Sequence, residues 1–179
     1  MKLIGTNIYI RQLEVSDAAA MLELQMNNKD FFQTYSPTRL DGFYTIEGQI
    51  KVIEANIEQS KNDSRYSFGI FLNETDKLIG NVALSEILRG ALQSCYIGYY
   101  LDQQQNGKGY MTEAVILVVD FAFNKLELHR IEAGVMPHNI GSMKVLEKAG
   151  FHKEGIAVKN VKINGKWEDH QVLAIVGAD

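Results

Sequence analysis

The chain is short of the residues that staple, stiffen or anchor a protein. Its one cysteine, Cys95, cannot form an internal disulfide, which excludes the framework of a small secreted domain. Two prolines leave no room for Pro-rich linkers. The apolar run Ala114 to Val119 is far below the ~20 residues needed to cross a bilayer. Residues 1–11 lack the apolar stretch and small-residue cleavage site of a secretory leader. A soluble chain in a reducing, cytoplasmic compartment is expected. A dominant charge is missing too, since eighteen basic residues face twenty-two acidic ones for a net charge of −4. That argues against a surface built for nucleic acid, and neither nucleic-acid nor membrane partners are expected. His129, His138, His152 and His170 are scattered, with no pair four residues apart, so no metal site is expected.

What is present suffices for a sizeable core: 179 residues, 46% of them hydrophobic. No repeat, low-complexity tract or linker divides the chain, and residues 1–179 read as a single domain. Ile8 to Arg11 reads as a short strand, Ser16 as an N-cap, and Ala18 to Gln25 as a helix. Asn27 to Tyr44 is aromatic and irregular. Ile46, Ile50, Ile53 and Ile57 then recur at helical spacing from about Thr45. Tyr66–Leu72 and Lys77–Leu84 predict strands around an Asn73–Asp76 turn, Ser85–Leu92 a loop, and Ser94–Leu101 a strand. A buried helix over Met111–Lys125, a strand over Arg130–Met136, and a helix from Asn139 to Gly150 follow. A closing hairpin turns at Asn164-Gly165. This order predicts an α/β (α+β) fold, with a mixed central sheet flanked by helices.

The segment richest in chemistry runs from Ile97-Gly98-Tyr99-Tyr100-Leu101-Asp102 into Gln104-Gln105-Asn106-Gly107-Lys108-Gly109-Tyr110. A strand enters a glycine-bearing turn that opens a buried helix. Glycines permit unusual dihedrals and close approach, and the first-turn N–H groups of a helix attract an anion such as pyrophosphate. Taken alone, the pattern better suits a plain strand–turn–helix connection, since Gly is common in any turn. It is neither a Walker A loop nor a dinucleotide fingerprint.

Gln104-x-x-Gly107-x-Gly109 resembles the Q/R-x-x-G-x-G/A signature of GNAT acetyltransferases. Asn139-x-x-Ser142 and Leu146-Glu147-Lys148-Ala149-Gly150-Phe151 resemble that family's second coenzyme A segment. Ile8-Tyr9-Ile10-Arg11, Cys95 to Tyr99, His129-Arg130-Ile131, Met136-Pro137-His138-Asn139 and Trp167-Glu168-Asp169-His170 resemble its ribosomal-protein-alanine N-acetyltransferase branch of the RimJ/RimL type. The resemblance covers nearly the whole chain. It implies the GNAT fold and acetyl-CoA as acyl donor, with no metal. The acceptor it implies is an amine, foremost the N-terminal α-amine of a ribosomal protein, attacking directly in a ternary complex. A small amine (amino acid, polyamine or antibiotic) and a non-catalytic module that senses acyl-CoA or docks on ribosomes are the alternatives. A monomer or homodimer is expected.

By the same resemblance, Tyr99, Tyr100 and Leu101 would offer strand-edge groups to the pantetheine arm and stabilise an oxyanion. Gln104, Gln105, Asn106, Gly107, Lys108, Gly109 and Tyr110 would cradle the pyrophosphate. Asn139 would bond the pantetheine arm, and Ser142 would give a proton to the leaving thiolate. These residues also have plainer readings: Asn139 as an N-cap, Ser142 as a helix-surface serine, and one of Tyr99 and Tyr100 as core. For a general base acting through water, Glu86 is the first candidate, then Glu132 and Asp169. An α-amine with a pKa of about 7.7–8.0 asks little of a base. Cys95, in strand alternation, reads as packing rather than nucleophile. The aromatic segment Phe31 to Tyr44 is either part of the acceptor cleft or extra core.

Overall fold

Tyr9 stands between Ile8 and Ile10, and strand alternation sends them to opposite sides of a sheet. Ile8 and Ile10 join the larger of two buried clusters, and Tyr9 joins the smaller. The same division runs through the chain and places helices on both faces. The computed structural model describes residues 1–179. Its strands are β1 (Lys2–Ile4), β2 (Ile8–Arg11), β3 (Arg65–Leu72), β4 (Leu78–Leu88), β5 (Ser94–Leu101), β6 (Arg130–Val135), β7 (His152–Ile163) and β8 (Lys166–Val176). They form one sheet in the order β1-β2-β3-β4-β5-β6-β8-β7. Only β5 and β6 run parallel; all other neighbours are antiparallel. This is the expected mixed sheet.

The helices are α1 (Ala18–Asn27), α2 (Lys29–Gln33), α3 (Ile46–Lys61), α4 (Tyr110–Asn124) and α5 (Ile140–Lys148). Met21 and Leu24 of α1 and Ile53 of α3 pack on one face against Tyr9, Phe71 and Leu78. The other face is covered by α4, whose Ala114, Val115, Val118 and Ala122 are wholly buried, and by Leu146 of α5. The isoleucine spacing from Thr45 gives α3 as expected, and the Thr45 side chain caps it by accepting from the Gly48 N–H at 3.0 Å. Asn164 and Gly165 both take positive φ, +49° and +81°, which the two-residue hairpin turn requires.

Several expectations need correction. Ser16 is no N-cap; it sits inside a short 3-10 turn, Val15–Asp17, that Glu14 and Asp17 cap reciprocally. The stretch Ser85–Leu92 is not a loop throughout, because β4 continues to Leu88 past a bulge between Ser85 and Leu88. Asn27–Tyr44 contains α2 and a 3-10 turn at Asp41–Tyr44. β1 was not anticipated at all. The remaining boundaries differ by a residue or two, as helix and strand ends commonly do.

Asp17 ties the start of α1 to the sheet. Arg11 donates to both of its oxygens, at 2.8 and 2.9 Å, and the Glu14 N–H donates to it at 2.7 Å. The Arg11 guanidinium, first, and the Glu14 N–H hold its pKa below the ordinary 3.8 against the opposing effect of burial. A lowered carboxylate pKa stabilises the fold above the unfolded value, and that contribution disappears as pH falls through the folded value. Asp17→Asn is therefore expected to cost about 1–2 kcal/mol at neutral pH. Urea titrations of both proteins should show this gap intact above about pH 5 and closing below it.

Candidate active site

The pairing of β5 with β6 stops early. It covers only Ser94–Tyr96 against Arg130–Glu132, although β5 runs on to Leu101 and β6 to Val135. Each strand keeps its outer partner: β5 stays paired with β4 as far as Leu101, and β6 with β8 as far as Val135. The sheet thus splits between them, and the inner edge of β5 is left without a strand. Successive residues turn their N–H groups to opposite edges of a strand. Asp102 donates to Ile79 on the β4 side at 2.7 Å. The N–H groups of Tyr99 and Leu101 therefore turn to the open edge.

Beyond β5 comes the glycine turn. Asp102 caps a single 3-10 turn, Gln103–Gln105, by accepting from the Gln104 N–H at 3.1 Å. Gly107 and Gly109 then take φ of +78° and +81°, the left-handed region that costs other residues most. Together they aim the chain so that the six consecutive N–H groups from Gly107 to Thr112 donate to no protein acceptor. Some of these are the ordinary orphans of the first turn of α4. The rest come from the turn, and together they form a run of donors at the positive end of a helix.

Split and turn share one cavity of about 410 Å³. Its wall includes Tyr99, Tyr100, Leu101, Gln105, Asn106, Gly107, Gly109, Tyr110, Asn139 and Ser142 of the expected set. Gln104 and Lys108 are outside it; Lys108 turns away to Gln105 Oε1 at 3.1 Å. Phe31, Phe32 and Tyr35 reach the wall, so the aromatic segment contributes to the cleft. Sequence reasoning gave no role of their own to Lys144 and Lys148, one helical turn apart on α5, or to Met111 and Thr112, all of which line the cavity. Only the i, i+4 spacing of the two lysines hinted at a shared direction.

Adjacent tyrosines serve opposite faces. The Tyr99 hydroxyl meets Ser142 Oγ at 2.8 Å and donates to the Ser142 carbonyl at 3.2 Å, bridging the split to α5. Burial raises its pKa, opposed by the Ser142 contact, so the phenol keeps its proton at neutral pH. Tyr100 points the other way, its ring 4.8 Å from that of Phe32 and its hydroxyl 3.5 Å from Met21 Sδ. Burial pushes its pKa up to about 12. Asn139 is the N-cap of α5, accepting from the Ser142 N–H through Oδ1 at 3.3 Å.

The wall contains no carboxylate and no histidine. Glu86 stands exposed at the β4 bulge with φ +51° and makes no side-chain hydrogen bond. Glu132 is paired with Arg130 at 2.9 Å, and Asp169 accepts from the Lys159 N–H at 2.8 Å. All three lie outside the cavity lining. Cys95 is buried on β5, and burial pushes its thiol up to about 12, so it is no thiolate at neutral pH. No group of three or more His, Cys, Asp or Glu side chains converges to hold a metal. No helix is long and apolar enough to cross a membrane.

An open strand edge beside a run of free amides at a helix N-terminus can receive a peptide-like arm and an anionic group. The chain belongs to the GNAT family: the acetyltransferase (GNAT) domain matches residues 7–152. It is an acetyl-CoA-dependent N-acetyltransferase. A Bacillus subtilis (strain 168) protein bearing the name probable N-acetyltransferase YjcK is 63% identical over 175 residues, 98% of this chain and 97% of its own. The crystal structure of ribosomal-protein-S5-alanine acetyltransferase from Vibrio fischeri has a TM-score of 0.94 at 34% identity, covering 100% of this chain and 98% of that one. Mycobacterium smegmatis RimJ in complex with CoA-disulfide has a TM-score of 0.91 at 26% identity, covering 95% and 82% respectively.

The turn's geometry has a measurable cost. A Cβ on Gly109 would meet no atom within 4 Å, so its positive φ is the only obstacle to alanine. Gly109→Ala should lose about 1 kcal/mol, or about 2–4 °C in Tm for a chain of this size. Gly98 has equal space and no positive φ. Thermal melts should therefore separate Gly109→Ala from a nearly silent Gly98→Ala.

Proposed function

We propose that this N-acetyltransferase acetylates the N-terminal α-amine of a protein, a ribosomal protein foremost, by direct attack of the amine on acetyl-CoA within a ternary complex. The observation carrying the donor half is the run of free N–H groups from Gly107 to Thr112 beside the unpaired edge of β5. Backbone amides at a helix N-terminus match a pyrophosphate in geometry and sign. Lys144 and Lys148 on the same wall add positive charge for the remaining phosphate. The pantetheine arm, which carries amide groups like a peptide, pairs with the open edge of Tyr99–Leu101 as an added strand would. Asn139 keeps its Nδ2 free to donate to that arm while Oδ1 caps α5. The ribosomal acceptor is supported by the likeness to the Vibrio fischeri enzyme over the full chain. We take residues 1–179 to be one catalytic domain, since one sheet runs through the chain and the cavity draws its walls from β5 and from segments on both faces of that sheet.

The residues act as follows. An N–H on the open β5 edge donates to the thioester carbonyl oxygen and favours the negative charge that grows there as the amine attacks. The neutral amine forms the C–N bond, and the C–S bond breaks. Ser142 Oγ, held at 2.8 Å by the Tyr99 hydroxyl, gives its proton to the departing sulfur and takes one back from water. The amine's surplus proton leaves to water, with Glu86 as the carboxylate on that route. An α-amine with a pKa of about 7.7–8.0 is already roughly a tenth neutral at pH 7, so no base in the cavity wall is required.

The reading is tested by calorimetric titration with acetyl-CoA, followed by thiol release with alanine-terminated peptides, polyamines and free amino acids. Acetyl-CoA binding with release on the peptides is the expected result. Release on small amines alone overturns the protein acceptor, and binding without release on any amine favours a sensor. In the same assay Ser142→Ala should lower kcat by about 10²-fold while acetyl-CoA affinity changes little; an unaltered kcat removes Ser142 from the chemistry. Gly109→Asp places a negative side chain against the anion site and should abolish acetyl-CoA binding.

A further inference from the structure

The chain has five arginines, and three are committed to carboxylates: Arg11 to Asp17 at 2.8 Å, Arg89 to Asp63 at 2.7 Å and Arg130 to Glu132 at 2.9 Å. Arg39 and Arg65 take part in no ion pair. The charge of Arg39 reaches Arg65, and the charges of both reach Tyr100 in the cavity wall. No carboxylate figures among the charges that act on Arg65. Bringing two guanidinium groups together, one of them half-buried, opposes folding unless an anion joins them.

Their position gives that anion a role. Arg65 opens β3 opposite Ser85 of β4, and Ser85 lies opposite Tyr96 of β5. Cross-strand partners share a face, so Arg65 lies on the face of Tyr96, Gly98 and Tyr100. α1 and α3 cover the β2–β4 part of this face. Tyr96 and Gly98 remain exposed, and a Cβ on Gly98 would meet nothing within 4 Å. The cavity reaches the same face through Tyr100 and Phe32, while Tyr99 and Ser142 line it on the opposite face. Donor and acceptor thus have separate approaches, and the arginines border the acceptor's.

The orientation of Arg65 is set. Its Nε donates to Asn56 Oδ1 of α3 at 3.0 Å, and this is its only hydrogen bond. Its two terminal nitrogens are left as a fork, the geometry that meets a carboxylate with paired hydrogen bonds. Arg39 lies with its guanidinium 4.8 Å from the Phe43 ring centre, on the exposed segment that follows α2.

We propose that Arg65, with Arg39, recognises a carboxylate on the acceptor, so that the enzyme selects N-terminal segments carrying an acidic side chain close behind the reactive amine. This rests on the protein-acceptor reading and names the sequence feature it selects. The carboxylate lies away from the reacting atoms, so Arg39 and Arg65 are specificity residues rather than catalytic ones.

Two measurements test it. The first compares kcat/KM for alanine-terminated peptides with Glu or Gln at the second, third or fourth position. At least one Glu peptide should exceed its Gln partner by about tenfold, with the ratio lost in Arg65→Gln and only partly kept in Arg65→Lys, which retains the charge without the fork. The second needs no turnover: the side-chain Nε–H signals of the five arginines are followed by NMR as the N-acetylated Glu and Gln peptides are added. The Arg39 and Arg65 signals should move, saturably, with Glu peptides only. Peptide turnover with equal Glu and Gln efficiencies and unmoved Arg39 and Arg65 signals overturns the proposal and leaves the protein-acceptor reading standing. Moving signals without turnover keep the anion site and sink that reading. Should Arg65→Gln fail to give a folded amide spectrum, Arg39→Gln at its exposed position carries the comparison, and an unchanged Glu-to-Gln ratio there counts against the proposal.

Discussion

The structure depends on three residue pairs of parallel ladder. Because β5 and β6 are joined only through Ser94–Tyr96 and Arg130–Glu132, the strands are close at one end and free at the other. Neither strand is lost to the sheet, since β4 and β8 hold their outer edges throughout. What the split leaves behind is a set of backbone groups with no partner, and such groups seek one from water or a ligand. A thioester arm with peptide-like amides is such a partner. Most of the fold serves to keep the split open: α5, capped by Asn139, stands at its mouth, and Tyr99 reaches across to Ser142. α4 packs beneath, buried on most sides, and fixes where the free amides begin.

The electrostatics of the cavity follow from the donor it must hold. A carboxylate in the wall would oppose a polyanion at close range in a medium less screening than water. The wall instead carries free amides, two lysines and neutral aromatic and amide side chains. No carboxylate base stands in the wall for that reason, and Glu86, Glu132 and Asp169 are exposed or paired elsewhere. The side from which we propose the acceptor enters differs again, with a hydroxyl-bearing aromatic floor and two arginines in no ion pair.

Local signals were legible where backbone chemistry is local. The Gly107 and Gly109 turn, the Asn164-Gly165 hairpin and the isoleucine period of α3 each rest on a few neighbouring residues, and all three are present. The run of three residues in β1 is too short to show a period, and its partner supplies the order. β4 was cut short because Glu86 takes φ +51° in a bulge, a conformation no glutamate advertises. Ser16 looked like a cap only because the Arg11–Asp17 pair, which makes Glu14 and Asp17 the capping residues, spans the strand and the turn. The site divides in the same way. The glycines and Asn139 were readable from motif, whereas Lys144, Lys148 and the Tyr99–Ser142 contact exist only once α5 is laid across the open end of the sheet. Arg65 gave no signal, because its significance is the absence of a carboxylate that only the fold can reveal.

A two-residue period puts the two faces of one strand to different uses. Tyr99 and Tyr100 are neighbours in sequence, yet alternation sends one hydroxyl to Ser142 on the α5 side and the other to Met21 on the α1 side. On the proposed reading the amine adds to one face of the planar thioester carbon and the thiolate then leaves the tetrahedral adduct, so a strand passing through the split is placed to address both groups. A one-residue slip of β5 against β4 would exchange the two faces, sending Tyr99 to the aromatic cluster and Tyr100 to α5. Gly80 guards that register from the facing strand. A Cβ there would come within 2.5 Å of the Tyr100 carbonyl oxygen, so β4 admits β5 at this distance only with glycine at that position. The catalytic arrangement is thereby linked to a close approach of two backbones that is remote from any motif.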